Sequence, residues 1–153
     1  KTGEVSDMAH AIIRTTHLGA QKLGEQFAFG RAFQLKWFRL GSAGHDTKTL
    51  LPVVPDLTLV SLPSPVTGNL IEIPVGSAYQ VGPTVTEFKL SLPAGVGSGI
   101  FSSIGFYGEI VSVVDSADSA LIGTTFLYGI ANLPMQSKLD SEEKELILRL
   151  NNI

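Results

Sequence analysis

The chain has 153 residues, 44% of them apolar, with 14 acidic side chains against 11 basic ones for a net charge of −3; this suits one domain with a sizeable core, since a chain of this size buries roughly 70% of its unfolded surface. Mild acidity without a Lys/Arg block excludes the basic footprint of a nucleic-acid-binding domain, and the absence of Cys excludes a disulfide framework or a thiolate metal site. Charged residues make up only 16% against about 25% in an average soluble domain, no apolar run approaches the roughly 18 residues of a spanning helix, and Lys1-Thr2-Gly3-Glu4-Val5 does not resemble a signal peptide, so a thinly charged, soluble chain away from membranes is expected.

Residues 1–17 show no clear period. Ala11-Ile12-Ile13 is an apolar island able to pair as a short strand or to lie as an arm on a neighbour, and the expected division is an N-terminal arm at 1–15 followed by a single β-sandwich-like domain at 16–153. From Thr16 to Phe29, Leu18, Ala20, Leu23 and Phe27 recur near helical spacing, with Thr16 placed as N-cap and Gly30 as C-cap. Gly19 and Gly24 each lower helix propensity by about 1 kcal/mol relative to Ala, so this helix needs tertiary support. Phe33 to Leu40 reads as a strand stopped by Gly41-Ser42-Ala43-Gly44. Phe33, Leu35 and Trp37 fall on one face and Phe38 and Leu40 on the other, which a strand covered on both sides explains.

Residues 47–83 form a Pro-rich excursion carrying Pro52, Pro55, Pro63, Pro65, Pro74 and Pro83. Because Pro cannot donate to a central ladder, Leu57–Leu62 and Leu70–Ile73 are predicted as short edge strands. Long segments of this kind are commonly functional, so the excursion is a candidate contact surface. Thr84 to Leu92 alternates as a half-buried strand, with Thr86, Phe88, Leu90 and Leu92 on one face. Ile104–Val114 and Leu121–Leu133 are two β-rich runs joined by the polar turn Asp115-Ser116-Ala117-Asp118-Ser119, and in the second Ile122, Phe126, Tyr128 and Ile130 are expected to share a face. A final strand follows over Glu145–Leu150, with a short helix capped by Ser141 as the alternative. Strands at this turn spacing predict a mainly β fold, an antiparallel β-sandwich with one short N-terminal α-helix.

No enzyme constellation emerges, and no cofactor or metal is expected. His10, His17 and His45 lack the i, i+4 pairing with an intervening Glu that a zinc-protease helix requires. His45-Asp46 reads as a turn pair rather than a base with its orienting carboxylate. Gly95-Val96-Gly97-Ser98-Gly99 has neither dinucleotide nor phosphate-loop spacing, and no Ser stands in a nucleophile elbow. Asp115, Asp118, Glu142 and Glu143 read as solvated turn groups. Trp37, Phe38, Tyr107 and Tyr128 read as core residues, the alternative being a carbohydrate- or ligand-binding module in which Trp37, Tyr107 or Tyr128 stacks on a sugar.

The segment from Leu23 to Asp46, with Phe-Gly30-Arg-Ala-Phe33 and the turn Gly41-Ser-Ala-Gly44-His45-Asp46, resembles the N-terminal region of bacteriophage tail-collar fibre proteins, where a short helix leads to a strand and a Gly-rich turn. Phe101-Ser-Ser-Ile104-Gly105-Phe106-Tyr107-Gly-Glu109-Ile110-Val111 is similar to that family's Ile-Gly-Leu-Tyr/Phe strand, and Leu121-Ile-Gly-Thr-Thr-Phe126 through Pro134 to its hairpin partner. The resemblance implies a non-enzymatic virion protein of the tail that connects or anchors a fibre at the baseplate. The implied partners are copies of itself, a trimer being favoured, and other tail or baseplate proteins. Residues 1–15 and the excursion are expected to reach those neighbours through Met8, Ile12, Ile13, Pro52, Pro55, Leu57, Pro63 and Pro65.

Overall fold

A computed structural model describes residues 8–66 and 70–151. The chain is mainly β. Eight strands, β1 (Met8–Thr15), β2 (Ala32–Gly41), β3 (Ile71–Glu72), β4 (Ala78–Gly82), β5 (Val85–Leu92), β6 (Gly99–Ser112), β7 (Thr125–Lys138) and β8 (Lys144–Asn151), form one sheet in the order β3-β2-β6-β7-β1-β8-β5-β4. Helix α1 (His17–Phe29) follows β1, and a 3-10 turn at Ser116–Leu121 links β6 to β7. Among the described residues no helix is long and apolar enough to cross a membrane.

The sheet is strongly curled. Phe88 of β5 and Phe106 of β6 stand four places apart in the strand order, which in a flat sheet is about 19 Å at the usual inter-strand spacing; their rings meet at 5.3 Å. The two ends of the order, β3 and β4, are consecutive in the chain and joined by residues 73–77 alone, which holds the outer strands near one another. Inside the curl lies the main core, with Phe38 and Leu40 of β2, Phe88, Leu90 and Leu92 of β5, Ile104 and Phe106 of β6, and Leu146, Leu148 and Leu150 of β8. The alternation read for β5 is thus the one the core uses, β8 alternates in the same way, and the segment weighed as a helix capped by Ser141 is strand from Lys144 onward.

Three expectations are corrected here. Residues 8–15 are no arm: β1 sits inside the sheet, parallel to β8 from Met8↔Glu145 to Ile13↔Leu150 and antiparallel to β7 at Arg14↔Ile130 and Thr15↔Gly129. Its partnership with β8 also departs from a purely antiparallel arrangement. Leu57–Leu62 forms no strand, and of Leu70–Ile73 only Ile71 and Glu72 pair, with Phe38 and Trp37 of β2. Finally, strict alternation fails in β2 and β7. The register of β2 shifts between Leu35 and Trp37, and a one-residue slip moves later side chains to the opposite face. Phe33 and Leu35 therefore pack on the main core together with Phe38 and Leu40, and Trp37 turns to the outer face. A matching shift near Tyr128 separates inward Phe126 and Tyr128 from outward Ile130, and Ile122 lies beyond the strand and is exposed.

Helix α1 has the predicted caps. Thr16 accepts from the Gly19 N–H at 2.9 Å, and Gly30 closes the helix at φ 69° with its N–H on Gln26 O. Gly19 is where the helix lies against β7: a Cβ there would collide with the Tyr128 carbonyl. Leu18 and Leu23 face the core, whereas Phe27, read as part of the apolar face, is 83% exposed.

Candidate interaction surface

The outer face of β2, β6 and β7 carries a second apolar cluster of Tyr107, Leu127 and Ile130 with Trp37. The excursion covers it with Leu59, Leu62 and Leu70, of which Leu62 is fully packed. Proline favours this irregular path because it removes N–H donors that would otherwise need a ladder. Backbone groups that remain are taken up locally: Leu57 O accepts from His17 N, Val53 N donates to Gly44 O, Leu62 N donates to the Tyr107 hydroxyl and Asn132 Nδ2 donates to Val53 O. The two-sided apolar character of these strands is accounted for within one chain. Here the expectation that the excursion simply reaches outward is corrected, since its leucines turn in to seal its own sheet.

The residues that turn outward make the candidate surface. Leu50, Leu51, Val53 and Val54 are exposed, Val54 at 83%. They continue onto the sheet, because Val53 and Pro55 share a shallow depression with Ala11, Ile12, Arg14 and Asn132, and Ile12 is 64% exposed on the outer face of β1. Beside it, Ile12 opposes Arg149, which is held at 2.9 Å by Glu87 of β5. A largely apolar band therefore runs from the excursion to β1, with Arg14 and Asn132 within it and the Arg149–Glu87 pair on its β5–β8 side.

Of the residues expected to make contacts, Ile12, Pro52 and Pro55 lie on or next to this band. Ile13 points the other way into the core. Leu57 is half-buried against the start of α1, and Pro63 and Pro65 are exposed where the excursion returns along β2, Pro65 bridging to Gly41. Met8 begins β1, and its side chain falls outside the described residues. Sequence reading missed Leu50, Leu51, Val53 and Val54; the uncharged run Leu50–Pro55 in a thinly charged chain was the available signal.

Several ionisable groups tie elements together. His45 Nδ1 meets the buried Ser102 hydroxyl at 2.7 Å, and that hydroxyl also accepts from Gly44 N. Asp46 accepts from Lys48 N and Thr49 N, and these backbone donors hold its pKa below the ordinary value. It caps a turn and does not orient His45. Glu109 accepts from Lys36 and Trp37 Nε1, both at 3.1 Å, and its pKa is lowered by them. Arg31 grips Asp118 with two donors and lowers its pKa, tying the 3-10 turn to the end of α1. Tyr107 and Tyr128 are buried, and Trp37 packs in the outer cluster. Among the described residues no group of three or more His, Asp or Glu is arranged to hold a metal ion. No protein family, no curated protein and no solved structure matches the chain.

Proposed function

We propose that this chain is a non-enzymatic structural protein of a bacteriophage tail that connects or anchors a fibre at the baseplate, working as a homo-oligomer, a trimer being favoured, together with other tail proteins. The observation that carries the reading is the apolar band from Leu50–Pro55 to Ile12. Contiguous exposed apolar surface of this kind marks interaction sites, and virion parts cover such surface by symmetric or heterologous contact. The similarity of Leu23–Asp46, Phe101–Val111 and Leu121–Pro134 to tail-collar fibre proteins supplies the tail as the setting. In this reading the two halves of the curled sheet act as the layers of a β-sandwich, antiparallel apart from β1 and β8. Immunogold electron microscopy with antibodies against the chain, on particles from cells carrying its gene, tests the assignment. Label at the tail or baseplate is expected; particles with unlabelled tails would contradict it.

A further inference from the structure

We propose that the free edge of β4, with the cavity beside it, is a docking site for an extended peptide segment of a partner protein, one that carries an aromatic or leucine side chain near a basic residue. Strand β4 is last in the sheet order, and among the described residues no strand pairs with its second edge. Which groups point there follows from the ladder. Lys89 N donates to Ser77 O at 2.8 Å, and the register continues as Ala78↔Phe88, Tyr79↔Glu87 and Gln80↔Thr86. Antiparallel pairs alternate between hydrogen-bonded and non-hydrogen-bonded, so Ser77 and Tyr79 face β5, while the N–H and C=O groups of Ala78 and Gln80 face outward. Natural sheets blunt such edges with charge or proline; Ala78-Tyr79-Gln80-Val81-Gly82 has neither, and all but Gly82 are exposed. Outward backbone donors and acceptors at strand spacing are matched by the backbone of another strand.

A pocket for a side chain of that strand lies alongside. A cavity of about 260 Å³ opens between β4, the connection 73–77 and β2, walled by Leu35, Ile73, Val75, Ala78 and Phe88. Ala78 opposes Phe88, whose ring belongs to the main core, so the residue of an added strand across from Ala78 falls on that same face and enters the cavity. A cavity of about 150 Å³ accepts benzene, and a phenylalanine or leucine side chain therefore has room here. Charge narrows the choice further. Lys36 in the lining is held by Glu109 at 3.1 Å, whereas the exposed Glu72 beside it makes no ion pair among the described residues. The rim thus favours a basic residue in the peptide over an acidic one.

An amide-resolved NMR titration of the full chain with the peptide acetyl-Lys-Val-Phe-Val-Thr-amide tests this, the valines being placed to pair with Tyr79 on the outer face. The peptide is expected to shift Leu35, Ala78, Gln80 and Phe88. At about ten times its Kd it should slow hydrogen exchange of the Ala78 and Gln80 amides about tenfold, with Tyr79, which already faces β5, unchanged. Replacing the peptide's phenylalanine by alanine should weaken binding about tenfold or more, the value of burying that ring, and replacing its lysine by glutamate should weaken it about two- to fivefold. Gln80→Pro removes an outward N–H, so the variant should keep the parent's melting temperature and lose the peptide; if it does not fold, the exchange measurement on the parent decides. No shifts up to the peptide's solubility limit, unslowed exchange at Ala78 and Gln80, equal affinity for the alanine or the glutamate peptide, a folded Gln80→Pro that binds as the parent does, or Ala78 and Gln80 amides already slow in the free chain, as a second copy on the edge would make them, would each overturn the proposal. The titration is independent of whether the chain belongs to a tail.

Discussion

Thr16 shows how much one side chain carries. Its hydroxyl accepts from Gly19 N and lies 2.8 Å from Leu127 O and 3.1 Å from Tyr128 O, and its own N–H reaches Tyr128 O. It is at once a helix cap and a fully buried weld to β7. The cap was legible from Thr16-His17-Leu18 because a β-region hydroxyl ahead of a helical run satisfies an orphan N–H. The weld was not, since it joins residues more than a hundred positions apart. Thr16→Ala should cost about 1–2 kcal/mol in denaturant unfolding, and a loss within error would show that the buried hydroxyl contributes nothing. The two helix glycines, alike in sequence, separate in the structure. Gly24 has open space where a Cβ would go, whereas Gly19 abuts the Tyr128 carbonyl. Gly24→Ala should therefore stabilise by about 0.5–1 kcal/mol, and Gly19→Ala should destabilise. The carboxylates add a pH dependence of definite sign. Asp46, Asp56, Glu109 and Asp118 all have lowered pKa values through hydrogen bonds they accept. A depressed folded-state pKa contributes stability above the unfolded value, near 4, and loses it as pH falls through the folded value. Stability should be flat near neutrality and decline from about pH 5 downward, with the decline shallower in Glu109→Gln when followed by urea unfolding at successive pH values.

At the scale of elements, periodicity succeeded where one rule governed the segment. Phe88, Leu90 and Leu92 on β5 and Leu146, Leu148 and Leu150 on β8 alternate without a bulge, and each set is buried. Strand β2 defeated the same rule because the shift at Lys36 moves Phe38 and Leu40 to the face of Phe33 and Leu35. No local feature of Phe-Gln-Leu-Lys-Trp-Phe-Arg-Leu announces that shift; it is set by pairing with Tyr107 and Gly108 of β6. Strand β1 was hidden for a related reason, as its partners β7 and β8 lie at the far end of the chain. Deleting residues 1–15 is thus expected to abolish cooperative unfolding by circular dichroism, and a truncated chain that melts like the full one would place β1 outside the folded body. The excursion was recognised by its prolines, yet its role as cover is a tertiary fact. Leu62→Ala should cost about 2–3 kcal/mol, at the low end for a buried leucine because an irregular segment can partly collapse. Val60→Ala, at an exposed position, should stay within about 0.5 kcal/mol of the parent.

The whole molecule is a curled sheet closed over one core and sealed on one outer face by its own excursion. Its remaining outer face carries the band of Ile12, Val53 and Val54. Composition foretold such a surface in the low share of charged residues; its place could not be foretold, because it depends on β1 and the excursion meeting on the outer face of the sheet. The account stands on that band being covered by another chain. Multi-angle light scattering of the purified protein beside the double variant Ile12→Asp/Val54→Asp tests it most directly. Three times the 16.3 kDa of one chain is expected for the parent, and a single folded chain for the variant. A parent that remains a monomer at every concentration, or a double variant that keeps the parent's assembled mass, would contradict it.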